Sequence, residues 1–156
     1  MSIRTSLWIA AGLAMAPAIA LGLARFAYAL LLPSMRTDLA WSYIDAGAMN
    51  TANALGYLVG ALIASQAATR FGAKRAFLAG LLLTAATLLA SGLTASFTWL
   101  IILRVVAGIA GAVAFVIGAA FTVAAVPRDK PASIPLAMGV YLGGGGLGIV
   151  ISALVV

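Results

Sequence analysis

The sequence predicts an all-α protein whose helices form a bundle inside a membrane, and three observations carry this prediction. The first is composition: of 156 residues, 65% are hydrophobic and only 8% are charged, whereas a typical soluble domain has about 25% charged residues. The second is that the few charged residues separate long uncharged runs. The third is that these runs provide five segments of about 20 residues or more, the length that a helix needs to cross the hydrocarbon.

Five transmembrane helices are predicted from the positions of these runs. They cover residues 7–32, 44–67, 76–93, 98–126 and 132–156. The third and fourth need a turn between them because residues 76–127 contain only one charge, Arg104. As one helix they would be about 78 Å long, far more than a hydrocarbon core of about 30 Å. The small and polar residues 91–96 are the predicted position of that turn.

Local signals indicate the other helix boundaries. Pro33 is expected at the end of the first span, whereas Pro17 lies inside that span and is expected to kink it. Ser42 and Asp45 have the spacing of a capping box, which predicts the start of the second helix. The charged segment 127–131 begins and ends with proline and is expected to be the loop before the fifth helix.

The basic residues predict the orientation in the membrane. If the N-terminus is cytoplasmic, six basic residues lie on the cytoplasmic side and one, Arg36, lies outside. The six are Arg4, Arg70, Lys74, Arg75, Arg128 and Lys130. We therefore expect an integral protein of a bacterial cytoplasmic (inner) membrane with its N-terminus inside. Topology also explains the net charge of +6, so no nucleic-acid partner is predicted.

The residue types that are missing exclude several kinds of chemistry. The chain contains no Cys and no His. Thiol chemistry and His-dependent metal sites are therefore excluded, and the commonest general base is absent. We expect no enzyme activity, no cofactor and no metal site.

Two arginines lie inside predicted spans, Arg25 on the first and Arg104 on the fourth. A charge near the bilayer centre costs at least about 2.5 kcal/mol, so such residues usually face an interior cavity. Both are predicted roughly 7–11 Å inside the external boundary. They are expected to line one cavity and to bind an anionic group together. The alternative is that each one extends outward or bonds to backbone carbonyl groups.

The second predicted span carries polar residues on one face. Asn50, Asn53 and Tyr57 are separated by three and four residues, so they lie on the same side of a helix. Asn53 and Tyr57 are the candidate cavity residues. The alternative for Asn53 is a hydrogen bond between helices, which is common for buried amides in lipid.

Glycine spacing predicts where helices approach each other closely. Gly56 and Gly60 form a pair of small residues four apart, and the fifth span contains two more such pairs. These are Gly139 with Gly143 and Gly144 with Gly148. Four glycines in succession, 143–146, are also expected to weaken that helix and allow a bend.

The order of these features resembles the N-terminal half of a major facilitator superfamily transporter. Residues 70–75 resemble the family's signature between helices 2 and 3, although Thr69 stands where the family has an acidic residue. Arg104 with Gly108 resembles the fourth-helix motif, and Gly139 with Gly143 resembles part of the antiporter motif in the fifth helix. Residues 22–35 and 50–57 resemble the YbfB/YjiJ-like branch of the family.

The resemblance implies transport of a small molecule, with an anionic substrate and coupled protons as candidates, by alternating access in the full-length parent. Members have about twelve helices, so this chain is expected to be a partial N-terminal transmembrane domain, truncated near the fifth helix. The implied cavity residues are Arg25, Asn53, Tyr57 and Arg104; the switch-loop residues are Arg70, Gly72, Lys74 and Arg75; the packing or hinge residues are Gly108, Gly139, Gly143 and Gly148. The alternative is a non-transporting membrane subunit or assembly module.

Overall fold

The computed structural model describes residues 2–155 and contains five long helices. They are α1 (Ile3–Asp38), α2 (Tyr43–Phe71), α3 (Ala73–Ser91), α4 (Phe97–Ala124) and α5 (Ile134–Val155), with a short 3₁₀ turn at Pro131–Ser133 before α5. Helices make up 88% of the described residues, and no strand occurs among them. The predicted all-α bundle is therefore confirmed.

Length and apolar composition make most of these helices suitable membrane spans. The helix α1, the helices α3 and α4, and the segment Pro131–Val155 are all long and apolar enough to cross a membrane. The helix α2 is less apolar because it contains Asn50, Asn53 and Gln66. Its 29 residues nevertheless extend about 44 Å, which is longer than the hydrocarbon core.

The helix α1 continues through both of its prolines. Directly after Pro17 it widens into a ten-residue π-helix, Ala18–Ala27. Proline lacks an N–H and its ring collides with the carbonyl group four residues earlier, so the regular hydrogen-bond ladder is interrupted at this point. Pro33 also lies inside the helix, which therefore extends beyond the predicted boundary at residue 32. Neighbouring groups in membrane proteins allow helices to tolerate such interruptions.

A backbone motif, not Pro33, ends α1. Ala40 has a positive φ of 52°. The Ala40 N–H donates to the carbonyl of Thr37, and the Trp41 N–H donates to the carbonyl of Arg36 at 2.9 Å. This pair of bonds is the Schellman arrangement, which supplies partners for carbonyl groups that a helix end leaves free.

The helix α2 starts at the predicted capping box. The Asp45 backbone N–H donates to the Ser42 hydroxyl oxygen, and the Ser42 backbone N–H donates to the Asp45 carboxylate at 3.0 Å. At its other end a single residue, Gly72, separates α2 from α3. Gly72 has φ +85°, a region that residues with a Cβ rarely adopt. The tight α2–α3 connection therefore depends on glycine.

Gly72→Ala is expected to lower the free energy of unfolding by about 1–3 kcal/mol, the usual cost of a strained backbone conformation. A Cβ at Gly72 would have no atom within 4 Å, so the loss comes from the backbone alone. The matched control is Gly92→Ala at the α3–α4 connection, where φ is −76° and the nearest atom is 3.5 Å away. Thermal unfolding in detergent compares the two, and an equal change in both would contradict the explanation.

The helix α4 lies at the centre of the bundle. It contacts all four other helices, and its contact with α2 is the most extensive. Small residues allow this approach: a Cβ at Gly56 would collide with the backbone of Val105, and one at Gly108 would collide with the backbone of Asn53. The second close pair of helices is α1 with α5. The central position of α4 determines where Arg104 lies.

Candidate substrate site

Arg104 is buried at the contact between α4 and α1. Its side chain is only 4% exposed. Its Nη1 donates a hydrogen bond to the carbonyl of Ala24 at 2.9 Å, and its guanidinium carbon lies 4.0 Å from the centre of the Tyr28 ring. Ala24 and Tyr28 are four residues apart and therefore share a face of α1. The guanidinium group connects the two helices.

The charge of Arg104 is stabilised without an acidic partner. The three acidic residues of the chain are Asp38, Asp45 and Asp129, and each lies at a helix end or in a loop. The Arg104 Nε and the Tyr28 hydroxyl are buried, and within the described part of the chain neither has a hydrogen-bond partner. A carbonyl dipole and the negative face of an aromatic ring therefore compensate the charge.

Asn53 forms a hydrogen bond between helices. It is buried, and its Nδ2 donates to the backbone carbonyl of Arg104 at 3.1 Å. Two roles were considered for Asn53, a cavity residue and a hydrogen bond between helices, and this bond corresponds to the second. The amide fixes α2 against the turn of α4 that carries Arg104, whereas Asn50 is exposed.

Arg104 lines a cavity between α1, α3 and α4. Its volume is about 470 Å³, and Tyr28, Leu88 and Leu100 contribute to its apolar lining. Arg25 is not among the lining residues. Arg104 contacts the face of α1 that carries Ala24 and Tyr28.

A second group of side chains, which we name the aromatic patch, consists of Tyr57, Phe115 and Tyr141. Arg25 of α1 is half-buried and lies within electrostatic range of Tyr57. The Tyr57 and Phe115 rings are 6.2 Å apart, and those of Phe115 and Tyr141 are 5.8 Å apart. The Tyr141 hydroxyl donates to the carbonyl of Phe115 at 2.7 Å. The patch thus joins α2, α4 and α5.

Two residues of the aromatic patch were not predicted from the sequence. Phe115 follows Arg104 by 11 residues, which is close to three full helical turns, so this spacing could have placed it on the same side of α4. Tyr141 is the only aromatic residue of α5 and is fully buried. The available signal for Tyr141 was that it is a single tyrosine in a helix composed mainly of glycine and aliphatic residues.

The switch-loop residues lie together where α2 meets α3. Arg70, Lys74 and Arg75 are all exposed around Gly72. Among residues 2–155, no side-chain hydrogen bond or aromatic contact joins them to the aromatic patch or to Arg104. They form a separate basic surface at one end of the bundle.

The four candidate packing glycines have different surroundings. Gly108 meets α2, and a Cβ at Gly148 would be 2.5 Å from the Ala18 carbonyl of α1. A Cβ added at Gly139 or Gly143 would meet no atom within 4 Å, whereas Gly144 contacts Ala14. The pair of α5 that meets α1 is therefore Gly144 with Gly148. Residues 143–146 remain helical throughout.

A comparison with known protein families identifies a transporter family. The family described as "Uncharacterised MFS-type transporter YbfB" matches residues 5–156. No curated protein matches the chain. The match covers nearly the whole sequence, including Arg25, Arg104 and the basic surface at the α2–α3 connection.

Proposed function

Since this chain belongs to the major facilitator superfamily, in the family of the uncharacterised MFS-type transporter YbfB, we propose that its helices form one wall of an alternating-access pathway for a small anionic molecule. Family membership supports membrane transport in general. Transporters of this superfamily bind substrate between two halves near the midplane. The opposite wall would be supplied by a second set of helices in the full-length protein.

The observation that carries the proposal is Arg25, a half-buried cation inside a helix that is apolar enough to cross a membrane. Arg25 makes no hydrogen bond or ion pair with the described residues, and it lies within electrostatic range of Tyr57. A guanidinium group that has no such partner can bind a carboxylate or phosphate group. Arg104 and Asn53 support the site indirectly, because they hold α1 and α2 against α4.

We also propose an orientation and a source for coupling. The positive-inside rule favours a cytoplasmic N-terminus, with the basic surface at the α2–α3 connection on the cytoplasmic side. The membrane would then be a bacterial cytoplasmic membrane. The acidic residues of this chain lie at helix ends or in loops, so coupling to protons would depend on an acidic side chain from other helices.

Arg25→Gln is expected to weaken binding of the anionic substrate by at least about tenfold, since a hydrogen bond to a charged group contributes about 1.5–3 kcal/mol. The full-length protein is first tested against a panel of small carboxylates, phosphates and matched cations, with ligand-induced thermal stabilisation as the measurement. Compounds that stabilise it are then tested for uptake into proteoliposomes.

The matched control is Arg36→Gln, an arginine on the same helix that lies 4.3 Å from the ring of exposed Tyr43. This variant is expected to bind the substrate as the wild type does. Equal affinity in the Arg25→Gln variant would remove Arg25 from the site. Stabilisation and uptake of cations alone would contradict the anionic substrate, and the absence of any uptake would favour a non-transporting membrane module.

A further inference from the structure

A groove opens between α2, α3 and α4 at the end of the bundle where α2 meets α3. We name it the arginine groove, because Arg70 and Arg75 lie among its lining residues and its volume is about 530 Å³. Phe71 lies beside the two arginines, and Gly80, Leu83 and Val113 are among the residues that form the rest of the wall. The groove therefore combines two cationic groups with an apolar channel.

The channel follows α3 into the membrane. Leu83 is eight residues beyond Arg75, which is about 12 Å along the helix axis. The helix α3 is one of the helices apolar enough to cross the bilayer, so this direction leads from the membrane surface into the hydrocarbon. A groove of this form exposes its charged end to lipid headgroups and its apolar end to acyl chains.

The two arginines have no acidic partner. Both are exposed, and within residues 2–155 neither forms a hydrogen bond or an ion pair; Arg70 lies 5.7 Å from the Phe71 ring. Thr69 is uncharged, and its hydroxyl donates to the carbonyls of Ser65 and Gln66. Lys74, the neighbour of Arg75 in the chain, adds a third exposed positive charge. The cationic end of the groove therefore has no counter-charge among residues 2–155.

We propose that the arginine groove binds a phospholipid with an anionic headgroup. The headgroup phosphate accepts hydrogen bonds from Arg70 and Arg75, and one acyl chain lies against Gly80, Leu83 and Val113. Basic residues beside a membrane span attract anionic lipids, and basic pockets between spans bind their headgroups. The apolar wall favours a lipid over a soluble phosphate, since a soluble ion leaves the channel unfilled. This inference is independent of the transported substrate.

Native mass spectrometry of the purified full chain tests the proposal with two lipids that have identical acyl chains. Phosphatidylglycerol is expected to remain bound, and phosphatidylcholine is expected to bind at least about tenfold more weakly. The double variant Arg70→Gln/Arg75→Gln is expected to lose this preference. The double variant Arg70→Lys/Arg75→Lys keeps the charge and is expected to keep most of the preference for phosphatidylglycerol. The matched control, Arg128→Gln/Lys130→Gln in the α4–α5 loop, removes two exposed charges and is expected to bind as the wild type does.

A second pair of variants tests the acyl chain. Ala79→Trp places a large side chain on an exposed residue that lines the groove, and it is expected to reduce phosphatidylglycerol binding. Leu82→Trp alters an exposed residue of the same helix outside the lining and is expected to have no effect. Unchanged lipid preference in the glutamine double variant would overturn the proposal. Binding of glycerol phosphate as tight as that of the lipid, with no effect of Ala79→Trp, would identify a soluble-anion site and overturn it as well.

Discussion

Tyr28→Leu is expected to lower the free energy of unfolding by about 2 kcal/mol or more, the value of a cation–π contact that is shielded from water. The Tyr28 ring lies 4.0 Å from the guanidinium carbon of Arg104, and both side chains are buried. Leucine removes the ring and leaves the charge with a single carbonyl partner, that of Ala24. Unfolding in mixed detergent, followed by circular dichroism, measures the loss.

Two further substitutions separate this effect from loss of volume. The Tyr28 hydroxyl has no hydrogen-bond partner among residues 2–155, so Tyr28→Phe retains the contact and is expected to leave stability within about 0.5 kcal/mol of the wild type. Arg104→Met removes the charge with little change in length. In the Arg104→Met background, the loss of unfolding free energy caused by Tyr28→Leu is expected to be about 2 kcal/mol smaller than in the wild type. Equal costs in both backgrounds would show that Arg104 and Tyr28 do not interact.

The fold class could be predicted because one physical constraint determines where charged residues occur in the sequence. Charged residues are costly in hydrocarbon, so the long uncharged runs are enough to indicate five helices. The capping box at Ser42 could be predicted for a similar reason, since its pattern lies within four residues. The end of α1 could not be predicted, because it depends on the conformation of Ala40, and alanine gives no turn signal.

The candidate site was harder to predict because distance along a helix does not give the direction of a side chain. Their positions along the helices predict similar depths for Arg25 and Arg104, but of the two only Arg104 lines the cavity between α1, α3 and α4, and it contacts Ala24 and Tyr28. That difference depends on how α1 is rotated around its axis, which is determined by its contacts with α4 and α5. Sequence spacing within one helix contains no information about this rotation.

The contact between α2 and α4 leads to the second large expected effect. Gly56→Ala is expected to lower the free energy of unfolding by about 3 kcal/mol or more, at the upper end of the range for overpacking. The added Cβ would collide with the Val105 carbonyl, and the Val105 Cα would be 3.1 Å away. Backbone atoms cannot move away by changing a rotamer, so the helices must separate. Separation would also lengthen the bond from Asn53 to the Arg104 carbonyl, now 3.1 Å.

Gly47→Ala provides a control on the same helix with the opposite expected sign. Gly47 is exposed, and an added Cβ would meet no atom within 4 Å, so the substitution is expected to stabilise α2 by about 0.5–1 kcal/mol through reduced backbone freedom. Gly108→Ala should match Gly56→Ala, because its Cβ would lie 2.8 Å from the Tyr57 backbone nitrogen on the opposite side of the same contact. Thermal unfolding ranks the three variants. If Gly56→Ala and Gly47→Ala changed stability alike, close backbone approach would not hold α2 to α4, and the position of Arg104 would need another cause.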